Sequence, residues 1–156
     1  MPRYGRVPKR KIRPDAVYGS VLVQRFINKM TRRGKRSIAE KVFYAVMAEV
    51  KKRANKEPLE VFTKALDNVS PLLEVKARRV GGATYQVPVE VTKERSQAMA
   101  MQWVREAAVD RPGKSMIENL AGEIIEASNS TGTAIKNRET LHKTAEANKA
   151  FAHFRW

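Results

Sequence analysis

Residues 78–91 read RRVGGATYQVPVEV. Tyr85, Val87, Val89 and Val91 alternate there with Gln86, Pro88 and Glu90, and before the glycine pair Leu73, Val75 and Ala77 alternate with Glu74, Lys76 and Arg78. Successive strand side chains point to opposite faces, so a period of two on both sides of Gly81-Gly82 predicts a β-hairpin over about 72–91. The glycines permit a tight reversal and a close approach of backbone to another surface. Pro88 has no N–H for a ladder, so its nitrogen must face solvent or a ligand. A lone two-stranded ribbon is marginally stable in water and must lean on other elements or on a partner. With Lys76, Arg78 and Arg79 before the turn, the stretch reads as a projecting finger for a charged ligand.

Elsewhere the period is helical. Leu22, Phe26 and Met30 repeat every four residues with Val23 and Ile27 beside them, which predicts a helix from Ser20 that ends in RRGKR, with Gly34 in the left-handed position. Ser37 and Glu40 are spaced as a capping box for a second helix carrying Val42, Phe43, Val46, Met47 and Val50. Pro58 suits the first turn of a third, with Phe62, Ala65, Leu66 and Val69. A fourth runs from Thr92 or Lys93 to about Val109, with Met101, Val104 and Ala108 facing inward. After RPGK, Ser115 and Glu118 form a second capping box ahead of Ile117, Leu120, Ala121, Ile124 and Ile125. SNSTGT is a loop, and Ala134 to about Ala152 makes the last and most polar helix. Met47, Met101 and Trp103 are expected in the core. The fold class that follows is mainly α: a single-domain bundle of about six helices over 15–156 with a projecting β-hairpin. Residues 1–14, with three prolines and little to bury, form an extended basic arm.

The charge is uneven. The chain carries 31 Lys/Arg against 16 Asp/Glu, a net +15 with a pI near 10.4, and such self-repulsion implies a polyanionic partner. Residues 1–36 hold twelve of the cations and one acid, Asp15, leaving a net of only +4 for the remainder. Cations thus gather on three sequence-distant protrusions: the arm, the first interhelical turn at Lys35 and Arg36, and the hairpin. A groove reader would concentrate them on one helix beside base-reading Asn or Gln. Several separated contacts suit an irregular RNA junction, bound by shape and phosphate.

Catalysis finds little support. There is no cysteine, and the only histidines are His142 and His153. Asp15, Asp67 and Asp110 lie far apart, metal-ligand spacing is absent, and Gly81-Gly82 lacks the spacing of a phosphate loop. No enzyme activity, cofactor, metal or small-molecule substrate is expected. The two histidines read as polar surface. No apolar run reaches the ~20 residues that span a bilayer, so no membrane partner is expected. The first residues lack a signal-peptide core, and Pro2, Pro8 and Pro14 would interrupt a mitochondrial presequence helix. One alternative is an architectural DNA-binding protein using the ribbon in the minor groove. That class places an apolar wedge, often proline, near the ribbon tip, whereas Pro88 is well down the return strand. The other is a small RNA-processing enzyme, for which no residue obviously supports turnover.

RRVGGATYQVPVEV at 78–91, FINKMTRRGKR at 26–36 and AEANKAFAHFRW at 145–156, in this order, resemble the bacterial form of the small ribosomal subunit protein seven family. The similarity covers about residues 14–156. The resemblance implies a six-helix bundle with a projecting hairpin that binds a multi-helix junction in the 3′ major domain of small-subunit rRNA and nucleates assembly of the subunit head. It implies a cytoplasmic ribosome, or an organellar one of bacterial type, and a place at the subunit interface near the decoding centre. Messenger RNA, exit-site tRNA and small-subunit proteins nine and eleven would be neighbours. Mapped onto this chain, rRNA contacts would fall on Arg3, Arg6, Lys9, Arg10, Lys11 and Arg13 of the arm, and on Lys35 and Arg36. They would continue with Lys76, Arg78, Arg79, Gly81 and Gly82 of the hairpin and with Lys114, Ser115 and Met116 opening the fifth helix. Lys136, Arg138 and Lys143 would face the exit-site tRNA. The chain departs from the family at Thr84, commonly asparagine, and at Lys136-Asn137-Arg138, commonly more cationic.

Overall fold

Gly81 and Gly82 have φ of 58° and 88°, the pair of positive values that a type I′ turn requires and that glycine adopts without strain. In the computed structural model, which describes Gly5 and residues 10–154, this turn joins β1 (Leu73–Val80) to β2 (Ala83–Glu90) as an antiparallel ribbon. The other described elements are helical: α1 (Val21–Met30), α2 (Arg36–Ala54), α3 (Pro58–Val69), α4 (Lys93–Asp110), α5 (Met116–Ser128), α6 (Thr133–Ala147) and a closing 3-10 helix, Lys149–Phe154. The chain is therefore mainly α with one projecting hairpin, as its periodicity predicts. Its contacts divide it into two compact units, residues 1–40 and 41–156.

In the first unit the sole acid of the basic segment has a structural task. Asp15 is buried, and its Oδ2 accepts the N–H groups of Val17 at 3.1 Å and Tyr18 at 2.9 Å, closing the turn that leads into α1. Val23, Phe26 and Ile27 are fully buried along one side of that helix. The helix stops at Met30, earlier than RRGKR suggests, because Thr31 is extended while its N–H and hydroxyl both bond Ile27 O. Gly34 is left-handed, but within a second tight turn. Arg33 and Gly34 have φ of 51° and 73°, and Lys35 N–H donates to Arg32 O at 3.0 Å. The predicted capping box at Ser37 does not form, because α2 begins at Arg36, two residues ahead of the Ile38 start that the box requires, and Glu40 binds the Arg36 guanidinium instead.

In the second unit α3, α4 and α5 pack on one another around Phe62, Leu66, Met101, Val104, Leu120 and Ile124. The Phe43 and Phe62 rings meet edge to face at 5.5 Å. Pro58 opens α3 as predicted, and Ser115 caps α5 by accepting the Glu118 N–H. Met47 and Met101 are core, but Trp103 is only half-buried, being one position, about 100° of turn, from Val104. The last helix ends sooner than expected. Asn148 bonds Thr144 O through both N–H and side chain, and Phe151 N–H then turns back to Asn148 O, tightening the chain into the 3-10 form.

The ribbon differs from its simple two-period reading. Register sets Lys76 opposite Val87 and Arg78 opposite Tyr85, so cations of β1 share a face with the apolar residues of β2. Val87 and Glu74, both on that face, are buried, while Ala77 is exposed. This face leans on α6 and the 3-10 helix, and Tyr85 packs against Phe151 and Phe154 at ring distances of 5.0 and 5.2 Å. Lys76 and Arg78 therefore do not lie on a polar side of the ribbon. They flank its packed side.

Candidate nucleic-acid interface

Both tight turns carry cations, and for one reason. A type I′ reversal projects its central residues away from the flanking elements, and long basic side chains beside it have nothing apolar to cover. In the first unit Arg32, Arg33 and Lys35 are exposed and line one open surface depression. Arg10, Lys11 and Arg13, ahead of the Asp15 turn, are exposed in chain without regular secondary structure. Arg3, Arg6 and Lys9 lie outside the described residues.

Arg36 is held differently from its neighbours. Its Nε donates to Glu40 at 2.7 Å and its Nη2 to Gln24 Oε1 at 3.1 Å, while Gln24 Nε2 donates to Asn28 at 3.0 Å. Part of its charge is thereby offset, although the side chain is 59% exposed. Arg32 and Arg33 were not among the residues the family resemblance points to. The signal that finds them is the RRGK run itself, in which a Gly after two arginines marks a turn.

On the hairpin Arg79 and Gly81-Gly82 form the exposed end, and a Cβ at either glycine would meet no described residue beyond its chain neighbours within 4 Å. Lys76 pairs with Glu74 at 3.1 Å, and the same carboxylate takes Arg95 Nε of α4 at 2.6 Å. Burial alone would raise the Glu74 pKa. The hydrogen bonds from Arg95 and Lys76, with their charges, outweigh it and hold the carboxyl below its usual range. Glu74 is thus a fixed anion that secures the ribbon's base to α4. Ser96 Oγ, bonded to Pro71 O at 2.7 Å, secures the preceding residue pair.

Lys114 is exposed, Ser115 is spent on capping α5, and Met116 is half-buried. Along α6, Lys136 and Lys143 are exposed, but Arg138 turns inward and donates from Nη1 to the Asn68 carbonyl at the end of α3. Asn68 in turn donates to the terminal carbonyls of α5, Ala127 at 2.9 Å and Ser128 at 3.1 Å. Arg138 is in this respect a structural cation. Its charge, after burial, also lowers the pKa of His142. His142 is no mere surface residue either, since its Nε2 accepts the Leu72 N–H at 3.1 Å where the ribbon begins.

A further constellation escaped the sequence reading. Glu123 is fully buried in α5, where Oε1 accepts the Ala134 N–H at 2.8 Å and so caps α6, while Oε2 takes Arg111 Nη2. Arg111 also bridges to Glu126, Nη1 to Oε1 at 3.0 Å. The bond to Glu126, against the cost of burial and aided by the Glu123 charge, raises the Arg111 pKa still further. The available signal was an acid inside an apolar stripe, three residues after Leu120. Among the described residues no group of acids and histidines is arranged to hold a metal ion, and no described helix is long and apolar enough to cross a membrane.

The family described as Ribosomal protein S7p/S5e matches residues 2–149. The chain belongs to that family. It is 55% identical over 156 residues, the full length of both chains, to small ribosomal subunit protein uS7 of Nitrosomonas eutropha. It is 54% identical over the same full length to the uS7 proteins of Caldanaerobacter subterraneus and Natranaerobius thermophilus. As a member of the S7p/S5e family the chain is a ribosomal protein with a structural part in translation, and not an enzyme.

Proposed function

We propose that the chain is a primary rRNA-binding protein of the small ribosomal subunit, seated on a multi-helix junction of the 3′ major domain and nucleating assembly of the subunit head. One observation carries the reading: cations are displayed on two type I′ turns, while three acids of the chain are buried and already bonded. Arg32, Arg33 and Lys35 surround one turn, and Arg79 stands beside the other, all exposed. Asp15, Glu74 and Glu123 are buried and occupied by backbone N–H groups or guanidinium. Separated phosphate-seeking projections match an irregular RNA better than the regular groove of duplex DNA. The uS7 relatives are named as small-subunit proteins, which favours the same partner.

In this reading Arg10, Lys11 and Arg13, the first interhelical turn, the hairpin and Lys114 at the start of α5 meet rRNA. Gly81 and Gly82 bring backbone close to it. Residues 1–14 act as an arm on the helical body that follows. Lys136 and Lys143 are the α6 cations left to face exit-site tRNA, with messenger RNA and small-subunit proteins nine and eleven nearby in a cytoplasmic ribosome. The deciding measurement is competition between a folded rRNA junction and duplex DNA of matched charge at several salt concentrations. The junction should win by at least about tenfold at physiological salt, above the shared phosphate term. Equal affinities would overturn the proposal in favour of architectural DNA binding.

A further inference from the structure

The closing segment KAFAHF contributes nothing to the core: no residue of the 3-10 helix Lys149–Phe154 is buried. Yet it does not stand apart, because it packs on β2. The contact is aromatic, with the Tyr85 ring 5.0 Å from Phe151 and 5.2 Å from Phe154, tilted 50° and 36°. Tyr85 lies directly opposite Arg78 in the ladder. Whatever fixes Tyr85 therefore fixes the strand position that carries Arg78, and Arg79 is next to it.

We infer that Phe151 and Phe154 are positioning residues, a clasp that sets the direction of the finger and so its affinity for RNA; this rests on the hairpin being an rRNA contact. The lever arm shows why a second hold matters. From the base pin at Glu74 to the tip at Gly81 is about 24 Å of strand, and a wobble of about 10° at the base would move the tip by about 4 Å. With the ribbon held at the Arg78–Tyr85 pair, the free length falls to about 10 Å and the same wobble moves the tip by about 2 Å. A phosphate contact tolerates the second better than the first, since charge-assisted bonds need donor–acceptor distances near 2.8 Å. The clasp thus removes before binding a freedom that binding would otherwise have to freeze.

The test uses full-length F151A/F154A beside F151L/F154L, which keeps apolar bulk, and the charge variant K76A/R78A/R79A. Amide hydrogen exchange of residues 76–87, the melting temperature, and affinity for an rRNA junction as a function of salt are measured for each. The alanine pair should speed hairpin exchange at least about tenfold and shift the melting point by less than about 3 °C, because the segment buries nothing of the core. Its RNA affinity should drop about three- to tenfold with an unchanged salt slope, since no charge has been removed. The leucine pair should recover most of the affinity, while the charge variant should lower both affinity and slope. Unchanged exchange in the alanine pair would overturn the clasp, and so would looser exchange with wild-type affinity while the charge variant binds weakly. If the charge variant binds like wild type, the hairpin is not the RNA contact proposed above, and exchange alone decides whether the clasp exists.

Discussion

Glu123→Ala should be among the most destabilising single changes that leave every cation in place. The side chain is fully buried and performs two tasks, accepting the Ala134 N–H at 2.8 Å and receiving the Arg111 guanidinium. Loss of a helix cap costs about 1 kcal/mol, and a buried amide left without an acceptor costs about 1–3 kcal/mol. Removing one member of a buried ion pair costs about 3–5 kcal/mol when the other is stranded. Arg111 is not stranded, because it keeps Glu126 at 3.0 Å and is 26% exposed, which reduces that contribution to about 1 kcal/mol. The cap and the stranded amide are one interaction and count once, so the expected total is about 2–4 kcal/mol, or a fall of about 6–18 °C in melting temperature for a unit of this size. Glu123→Gln retains an oxygen for Ala134 and loses only the charge, so about 1–2 kcal/mol is expected. Urea titration followed by circular dichroism gives the order, and amide exchange at Ala134 locates the damage. An alanine variant within about 1 kcal/mol of wild type, or alanine and glutamine variants that unfold together, would refute the assignment of Glu123 as the cap of α6.

The start of α6 offers a second check: Gly132→Ala places a methyl 3.0 Å from Glu123 Oε1 at a residue with φ of 97°, and should cost about 1–3 kcal/mol in the same titration. His142 makes stability pH-dependent. Burial and then Arg138 lower its pKa in the fold, so the unfolded chain protonates first; stability is full above about pH 6.5 and declines below it. His142→Gln, which keeps an acceptor for Leu72 N–H, should flatten thermal melts between about pH 5 and 7, and an unaltered decline would remove His142 as its cause. Valine at Gly81 or Gly82 meets a φ of 58° or 88° and should weaken RNA binding while changing the salt slope less than K76A/R78A/R79A does. Deleting residues 1–13 should spare the helical signal and melting temperature. It should lower the log–log salt slope of RNA binding by roughly 0.7–0.9 for each phosphate the arm no longer neutralises; a truncated chain that unfolds would make the arm a packed element.

The elements were legible because their signals are local. Pro58 marks the first turn of α3, Ser115 caps α5, and two glycines with period two on either side give the ribbon. Even the shared face could have been read. A two-residue turn at Gly81-Gly82 puts Val80 opposite Ala83, and therefore Arg78 opposite Tyr85. The apolar positions of the two strands, each regular alone, are then out of phase across the ladder. What failed were readings in which two residues of suitable type had to meet. Ser37 and Glu40 have capping-box spacing, but Arg36 competes for Glu40 with a full charge and a bond of 2.7 Å, which is stronger than a neutral amide offers.

Charge counts behave differently from charge availability, and this limits what sequence conveys about the interface. Arg36, Lys76 and Arg138 are as cationic as Arg33 or Arg79 on paper. In the fold, Glu40, Glu74 and the Asn68 carbonyl claim them, while Arg32, Arg33, Lys35 and Arg79 stand exposed. A phosphate approaching Lys76 must compete with a carboxylate already 3.1 Å away, so part of the contact energy only replaces an existing pair. The partner of Lys76 also has another use, since Glu74 ties the ribbon's base to Arg95 of α4. Removing that acid would release Lys76 for phosphate and free the base of the finger at once. Gain in charge and loss of direction would then oppose each other. Paired cations near an RNA surface are thus better placed to orient a finger than to drive its binding, and the drive falls to the exposed cations of the two turns.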